Sequence, residues 1–181
     1  MHSSAHYRQL LARLPQIAVA ADQFQVLNSA KDFKSRILSL IAGATQRIYL
    51  IALYLQDDEA GREILSALYA AKQRNPALDI KVFVDFHRAQ RGLIGKGKQG
   101  GNHLMYQAMA ARHEHQIEIY GVPVKGRELL GVLHLKGFIF DDILLYSGAS
   151  LNDIYLHQQE RYRFDRYHQI HSQALTCSMV N

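Results

Sequence analysis

Two residues that can act on a phosphate group stand two positions apart in this chain, His134 and Lys136. They lie in the stretch 131–142, whose apolar and β-branched residues predict a β-strand that ends at an Asp-Asp turn. Residues two apart on a strand share a face, so we expect both side chains on the same side. An imidazole can attack phosphorus or carry a proton near neutral pH, and an ammonium can hold a phosphate oxygen. The alternative is an edge-strand histidine beside a solvated lysine.

The residues that follow extend this pattern. His134, Lys136 and Asp141 have the spacing H-x-K-x4-D, and a second apolar strand leads to the sequence Gly148-Ala149-Ser150-Leu151-Asn152. The arrangement resembles the catalytic motif of the phospholipase D superfamily, which continues to G-S-x-N. Alanine follows the glycine here, and the serine and asparagine come one residue late.

The resemblance to this motif implies a catalytic role for some of these residues and substrate binding for another. The implied catalytic residues are His134, Lys136, Asp141 and Asn152. Ser150 is implied to bind substrate. Asp141 falls at the predicted turn, away from the face of His134, so we expect its loss to affect stability before chemistry.

Composition limits the classes of partner. The chain has 181 residues, of which 48% are apolar, enough for one α/β domain with a hydrophobic core. Its 21 Lys and Arg residues outnumber 16 Asp and Glu residues, and the net charge of +5 favours anionic partners. The single cysteine excludes an internal disulfide framework and a cysteine-based zinc site. A cytoplasmic location is expected, because no apolar run reaches membrane-spanning length and Met1–Ser4 does not resemble a signal peptide.

Alternating helix and strand patterns predict the fold class. A strand at 24–27 precedes a helix that Ser29 caps, an apolar strand runs from 47 to 55, and Asp57 or Asp58 opens the next helix. A strand at 79–86 follows. Strand, helix and strand with short connections indicate a mixed, mostly parallel sheet flanked by helices. Without an internal repeat or linker, residues 1–181 are expected to form a single domain.

Two cationic stretches are candidates for anion binding. A glycine-rich loop carries Arg88, Arg91, Lys96 and Lys98, which could hold a phosphate or a lipid headgroup or could merely be solvated. Its G-x-G-x-x-G sequence at 95–100 lies too far from the preceding strand for a dinucleotide site. In the second stretch, 161–167, arginines alternate with aromatic residues, a pattern typical of base stacking and phosphate binding or of a strand with a solvated cationic face.

Several stretches extend the resemblance beyond the superfamily. They are 51–55, 84–92, 120–123, 131–138, 146–153 and 155–157. In this order they resemble the phospholipase D-type phosphatidylserine synthases of Gram-negative bacteria, from about residue 30 to about residue 171. The resemblance implies transfer of a phosphatidyl group from CDP-diacylglycerol to L-serine with release of CMP, through a phosphohistidine. No metal or organic cofactor is implied.

The family carries two such motifs in a chain more than twice this length, whereas this chain has one. We therefore expect a phospholipase D-like N-terminal half, without the second catalytic half, peripheral at the inner face of the cytoplasmic membrane. The alternatives are a homodimeric phosphodiesterase or nuclease of the superfamily, and an inactive remnant that binds lipid. Nucleic acid is not the expected partner, and residues 175–181 match no pattern.

The resemblance also implies an acidic partner for the second ring nitrogen of His134. Superfamily enzymes place a carboxylate about a dozen positions after the motif asparagine, just before the next strand. Glu160 and Asp165 compete for this role. We favour Asp165, because it directly precedes the strand predicted at 167–170; a surface ion pair with a neighbouring arginine is the alternative.

Overall fold

The structure is a computed structural model that describes residues 4–91, 100–124 and 133–180. The helices are α1 Ser4–Leu11, α2 Ala30–Gly43, α3 Glu59–Arg74, α4 Phe86–Ala89, α5 Asn102–Ala110 and α6 Gln173–Val180. The strands are β1 Phe24–Leu27, β2 Arg47–Ile51, β3 Asp79–Asp85, β4 Glu118–Val122, β5 Gly137–Phe140, β6 Ile143–Ser147 and β7 Tyr167–His171.

The two longest helices begin where the sequence predicts. The Ser29 hydroxyl accepts a hydrogen bond from the Asp32 amide, and the Asp58 carboxylate accepts one from the Gly61 amide. Both side chains satisfy amides in the first turn of a helix, which have no partner inside it. The apolar faces of α2 and α3 pack against each other and contribute fully buried residues such as Phe33 to the core.

The seven strands form one sheet in the order β1-β7-β6-β5-β2-β3-β4. Among the strands of the described residues, β2–β3 and β3–β4 pair in parallel, and the other four pairs, β1–β7, β7–β6, β6–β5 and β5–β2, are antiparallel. A mixed α/β sheet flanked by helices is thus confirmed. The expected parallel majority is wrong, because the strand-helix-strand pattern covers only β2 to β4 and the later strands follow one another without long helices.

The strand predicted from residue 131 begins only at Gly137. Among the described residues of that stretch, 133–136 lie outside any strand. His134 is exposed whereas Lys136 is buried, so the expected common face is not observed. The reason is a tertiary contact: the backbone at Leu133 bonds to the end of β3 rather than to β2 or β6.

No helix within the described ranges is both long and apolar enough to cross a membrane.

Candidate active site

Several strand ends meet at one edge of the sheet. Ile51, the last residue of β2, pairs with Gly137, the first of β5. Ser147, the last of β6, pairs with Tyr167, the first of β7. The ends of β3 and β4 pair alongside them. The segments that leave β2, β3 and β6 and those that enter β5 and β7 therefore share this edge, which we call the motif edge.

His134 and Lys136 enter the motif edge just before β5. The His134 side chain is exposed, and Lys136 is only 9% exposed. Within the described part of the chain, neither side chain has a hydrogen-bond or ion-pair partner. An ammonium without a partner can bind an anionic substrate, and an imidazole without a partner nearby in the chain can attack it.

Asp85 holds the backbone directly before His134 in place. This carboxylate is fully buried at the end of β3. Its Oδ2 accepts the Leu133 amide at 2.9 Å, and its Oδ1 accepts the Arg88 amide at 2.8 Å, which caps α4. The segment 133–137 is thereby held at one end by Asp85 and at the other by the pairing of β5 with β2. The sequence analysis assigned Asp85 no role, although an acidic residue at the carboxyl end of a buried parallel strand is a usable signal for one.

The serine and asparagine after β6 also lie at the motif edge. Ser150 is buried, and Asn152 is half-buried. The Asn152 Nδ2 donates to the Tyr54 hydroxyl at 3.5 Å, and its Oδ1 accepts the Tyr155 amide at 3.0 Å. Tyr54 follows β2, so its contact joins the loop after β6 to the segment after β2. The resemblance to the motif did not indicate either tyrosine.

Asp165 enters the motif edge just before β7. Its Oδ1 accepts the Arg166 amide at 2.7 Å, and a Cβ placed on Gly148 would lie only 2.8 Å from its Oδ2. Glycine at 148 therefore makes room for this carboxylate. In the described residues no hydrogen bond links His134 to Asp165 or to the exposed Glu160. The proposed partnership with His134 stays a prediction.

Asp141 lies at the opposite edge, in the turn between β5 and β6. Its carboxylate accepts the amides of Thr45, Gln46 and Arg47, each at 2.9 Å, and the Thr45 hydroxyl at 3.1 Å. Burial works to raise the pKa of this carboxyl, but the amide hydrogen bonds outweigh it and the pKa is lowered. The structure therefore separates Asp141 from His134 and Lys136 by the length of β5.

Of the cationic loop, only part is described. Arg88 is half-buried in α4, next to the Asp85 cap, and Arg91 is exposed just after it. Lys96, Lys98 and most of the G-x-G-x-x-G sequence lie outside the described residues. In the described ranges, no group of three or more His, Cys, Asp or Glu side chains is placed to hold a metal ion.

Comparisons with known proteins show which sequences and folds this chain resembles. The chain is 50% identical over 178 residues to CDP-diacylglycerol–serine O-phosphatidyltransferase from Haemophilus influenzae. It is 49% identical over 174 residues to the enzyme of the same name from Escherichia coli K12. Each match covers 96% of this chain and 39% of the relative. No protein-family model matches.

Solved structures give the same result. The crystal structure of Haemophilus influenzae phosphatidylserine synthase matches with a TM-score of 0.92 and 47% identity, over 100% of this chain and 40% of that one. NucT from Helicobacter pylori matches with a TM-score of 0.61 over 87% of this chain and 89% of that one, at 13% identity, which shows a shared fold alone. The chain spans about two fifths of the length of the phosphatidylserine synthases it matches. Its resemblance to them, inferred from the stretches between about residues 30 and 171, is confirmed.

Proposed function

We propose that this chain forms the part of a phosphatidylserine synthase that carries one histidine-lysine motif. In the proposed reaction a phosphatidyl group passes from CDP-diacylglycerol to L-serine. The observation that carries the proposal is the exposed His134 near Lys136 at the motif edge, without a hydrogen-bond partner among the described residues, in a chain about half identical to enzymes of that name. The second catalytic histidine would come from a further part of the protein or from a second copy.

Each step of this reaction has a group to perform it. A ring nitrogen of His134 attacks the phosphorus that carries the diacylglycerol; the P–N bond forms as the bond to the CMP oxygen breaks, and its electron pair leaves with CMP. Lys136 stabilises the charge that develops on the phosphoryl oxygens. The second catalytic histidine would protonate the departing CMP oxygen. The serine hydroxyl then attacks phosphorus, the bond to His134 breaks, and the serine proton passes to that second histidine. We assign Asp165 to orient His134 through its second ring nitrogen.

A chimera provides the direct test. In the chimera, this chain replaces the matching segment of the Haemophilus influenzae enzyme. That enzyme supplies the rest of the protein. We expect CMP release that depends on both CDP-diacylglycerol and L-serine. His134→Asn should reduce it by roughly 10⁴-fold or more, because it removes the nucleophile. His113→Asn serves as the matched control, since His113 lies at the end of α5 and bonds to the Met109 carbonyl.

Trapping the intermediate separates the nucleophilic role from a structural one. With labelled CDP-diacylglycerol and no serine, the chimera should retain an acid-labile label that maps to His134 and that serine releases. An active chimera whose label maps elsewhere, or a His134→Asn chimera that keeps full activity, would refute the proposal.

The chain alone tests the dimeric alternative. A strictly monomeric sample, established by sedimentation, should show little CMP release, because each copy supplies one motif histidine. This fold makes up nearly the whole length of NucT, so a chain of this size can be a whole protein of this fold. The test is therefore whether two copies of this chain form a complete site. A stable dimer that hydrolyses a simple phosphodiester or DNA, without serine-dependent transfer, would favour the phosphodiesterase.

We also propose that the protein meets the inner face of the cytoplasmic membrane from the side, through the cationic loop. Binding to vesicles that contain anionic lipid should weaken as salt rises, since exposed charges are screened. Joint neutralisation of Arg88, Arg91, Lys96 and Lys98 should abolish this salt dependence. Co-sedimentation that is unchanged by salt and by the variant would exclude the loop.

A further inference from the structure

The arginine-aromatic stretch places one cation beside the motif asparagine. Arg163 Nη1 donates to the Tyr155 hydroxyl at 3.3 Å, and its guanidinium lies 5.6 Å from the centroid of the same ring. The Tyr155 amide in turn donates to Asn152 Oδ1, and Asn152 Nδ2 donates to the Tyr54 hydroxyl. These contacts form a continuous series from Arg163 to the motif edge.

The backbone holds Arg163 at this point. Its amide donates to the Ile154 carbonyl at 2.9 Å, which folds the segment 154–163 back onto its own start. The loop therefore does not depend on the arginine side chain for its path. A substitution of that side chain should leave the series Tyr155–Asn152–Tyr54 in place.

Most of the binding capacity of Arg163 is unused. A guanidinium offers five N–H donors in a planar fork, and the contact with Tyr155 uses one. In the described residues no carboxylate forms an ion pair with Arg163; the four ion pairs there involve Lys34, Arg47, Arg62 and Lys81. Asp165, two residues on, directs its carboxylate to the Arg166 amide and Gly148 instead. Arg163 is thus a cation held in place and free to bind an oxyanion.

We infer that Arg163, with Tyr155 and Asn152, forms a subsite for the phosphate of the nucleotide leaving group. This inference rests on the proposed function, in which the lipid donor carries two phosphoryl groups. One reacts at His134, and the other needs a separate cation. When the P–O bond between them breaks, the electron pair stays on the departing CMP, which becomes a phosphate monoester with added negative charge. A guanidinium at that phosphate stabilises the transition state more than the ground state, which is what catalysis requires.

Product binding tests the subsite without requiring turnover. The Nε–H signal of Arg163 is followed by NMR in the 181-residue chain. CMP and inorganic phosphate should shift and saturate this signal, and cytidine, which lacks the phosphate, should not. L-serine is the contrasting ligand: a shift with L-serine but not with CMP would make this a carboxylate subsite and overturn the inference. No shift with any ligand would overturn it as well.

Matched variants separate a subsite from diffuse charge. Arg163→Gln should weaken CMP binding about tenfold, because a charge-assisted contact is lost. Arg161→Gln removes the same charge two residues away; Arg161 is exposed like Arg163 but has no side-chain hydrogen bond or ring contact among the described residues, so binding should change less than about twofold, as expected of solvated charge. Tyr155→Phe keeps the ring but removes the hydroxyl acceptor, and an intermediate loss is expected. Equal losses in the two arginine variants would contradict the inference.

The chimera adds a kinetic readout. Arg163→Gln should raise the inhibition constant for CMP about tenfold and lower kcat, while the KM for L-serine stays unchanged. If Arg163 binds CMP in the chain but the chimera never transfers a phosphatidyl group, the subsite stands and the proposed reaction fails. If the chimera transfers a phosphatidyl group and Arg163→Gln leaves the inhibition constant for CMP unchanged, the proposed reaction stands and the subsite is refuted.

Discussion

The two ends of β5 treat polar side chains in opposite ways. At the turn end, the Asp141 carboxylate accepts four hydrogen bonds from Thr45, Gln46 and Arg47. At the motif end, His134 and Lys136 have no partner in the described residues, and the buried Asp85 holds only the backbone before them. At one end of this four-residue strand the polar groups bond to other parts of the fold and stabilise it. At the other end they are available to bind a substrate.

Among the variants that compare the two ends of β5, Lys136→Ala should give the largest effect. In the chimera, transfer should fall by about 2–4 kcal/mol of transition-state free energy, as for other donors to a developing oxyanion. Stability should stay the same or rise, because the change removes a largely buried ammonium that has no partner among the described residues. Kinetics and urea unfolding of the same variant measure both. A large loss of stability would show that the motif end is structural too.

Asp141→Ala should reverse that pattern. We expect a loss of about 2–3 kcal/mol of unfolding free energy, since several hydrogen bonds are lost and alanine is strained at this positive φ of 51°. Transfer in the chimera should be nearly unchanged below the melting transition. The neighbour Asp142 is the control: its only ion pair among the described residues, to Arg47, is long at 3.6 Å and only partly buried, so Asp142→Ala should cost little.

An Asp141→Asn protein sharpens this prediction, because asparagine tolerates the same φ. If it melts like the wild type but has lost transfer, Asp141 acts in the chemistry and the contrast between the two ends is wrong.

Asp85→Asn should affect both properties, less strongly. An amide offers one acceptor oxygen, so only one of the Leu133 and Arg88 amides can be satisfied, at a cost of about 1–2 kcal/mol. Hydrogen exchange at Leu133 should accelerate, and transfer should fall more than stability does. Ile80→Val, a buried position near the start of the same strand, is a control of similar cost. Equal effects of the two variants on transfer would leave Asp85 as a core residue only.

The smallest effect expected concerns Asp58, whose two carboxylate oxygens accept the amides of Gly61 and Asp153. Burial raises its pKa from 3.8 to about 6. The folded state then binds this proton more tightly than the unfolded state, so this contribution to stability is lost as the pH rises from about 4 to 6. Asp58→Asn should flatten the pH dependence of unfolding there.

Asp141 should act with the opposite sign. Its pKa is lowered, so its contribution is present above the unfolded value and is lost as the pH falls through the folded one. Unfolding of Asp141→Ala and wild type should therefore converge in acid. Curves that stay parallel down to low pH would show that strain at this turn, not its hydrogen bonds, accounts for the loss.

Local signals predicted most elements and failed where tertiary contacts decide. The caps Ser29 and Asp58 and the alternation in β3 were readable, because each depends on residues close in sequence. The late start of β5 was not, because it depends on the bond between Asp85 and Leu133. Strand direction was also hidden, since a pattern of apolar residues does not specify which strand lies alongside.

The candidate site divides in the same way. The motif and the family resemblance indicated His134, Lys136 and Asn152, because these residue types at this spacing are specific. Arg163 was indicated only as part of the arginine-aromatic stretch 161–167, and Tyr155 only as part of the family-like stretch 155–157. Their connection to Asn152 arises from the fold of segment 154–163. Backbone bonds of this kind leave no periodic pattern in the sequence.

The pairing of β1 with β7 has a consequence for the order of folding. Phe24 lies opposite Ile170, so an early strand waits for one of the last before it can join the sheet. The hairpin of β5 and β6 can close locally. Docking of β1 requires the closure of a very long loop, which costs chain entropy. We expect β1 to join after the rate-limiting step, so that Val26→Ala speeds unfolding and leaves the refolding rate nearly unchanged. During synthesis on the ribosome, the outer side of β6 would then stay unpaired until β7 emerges.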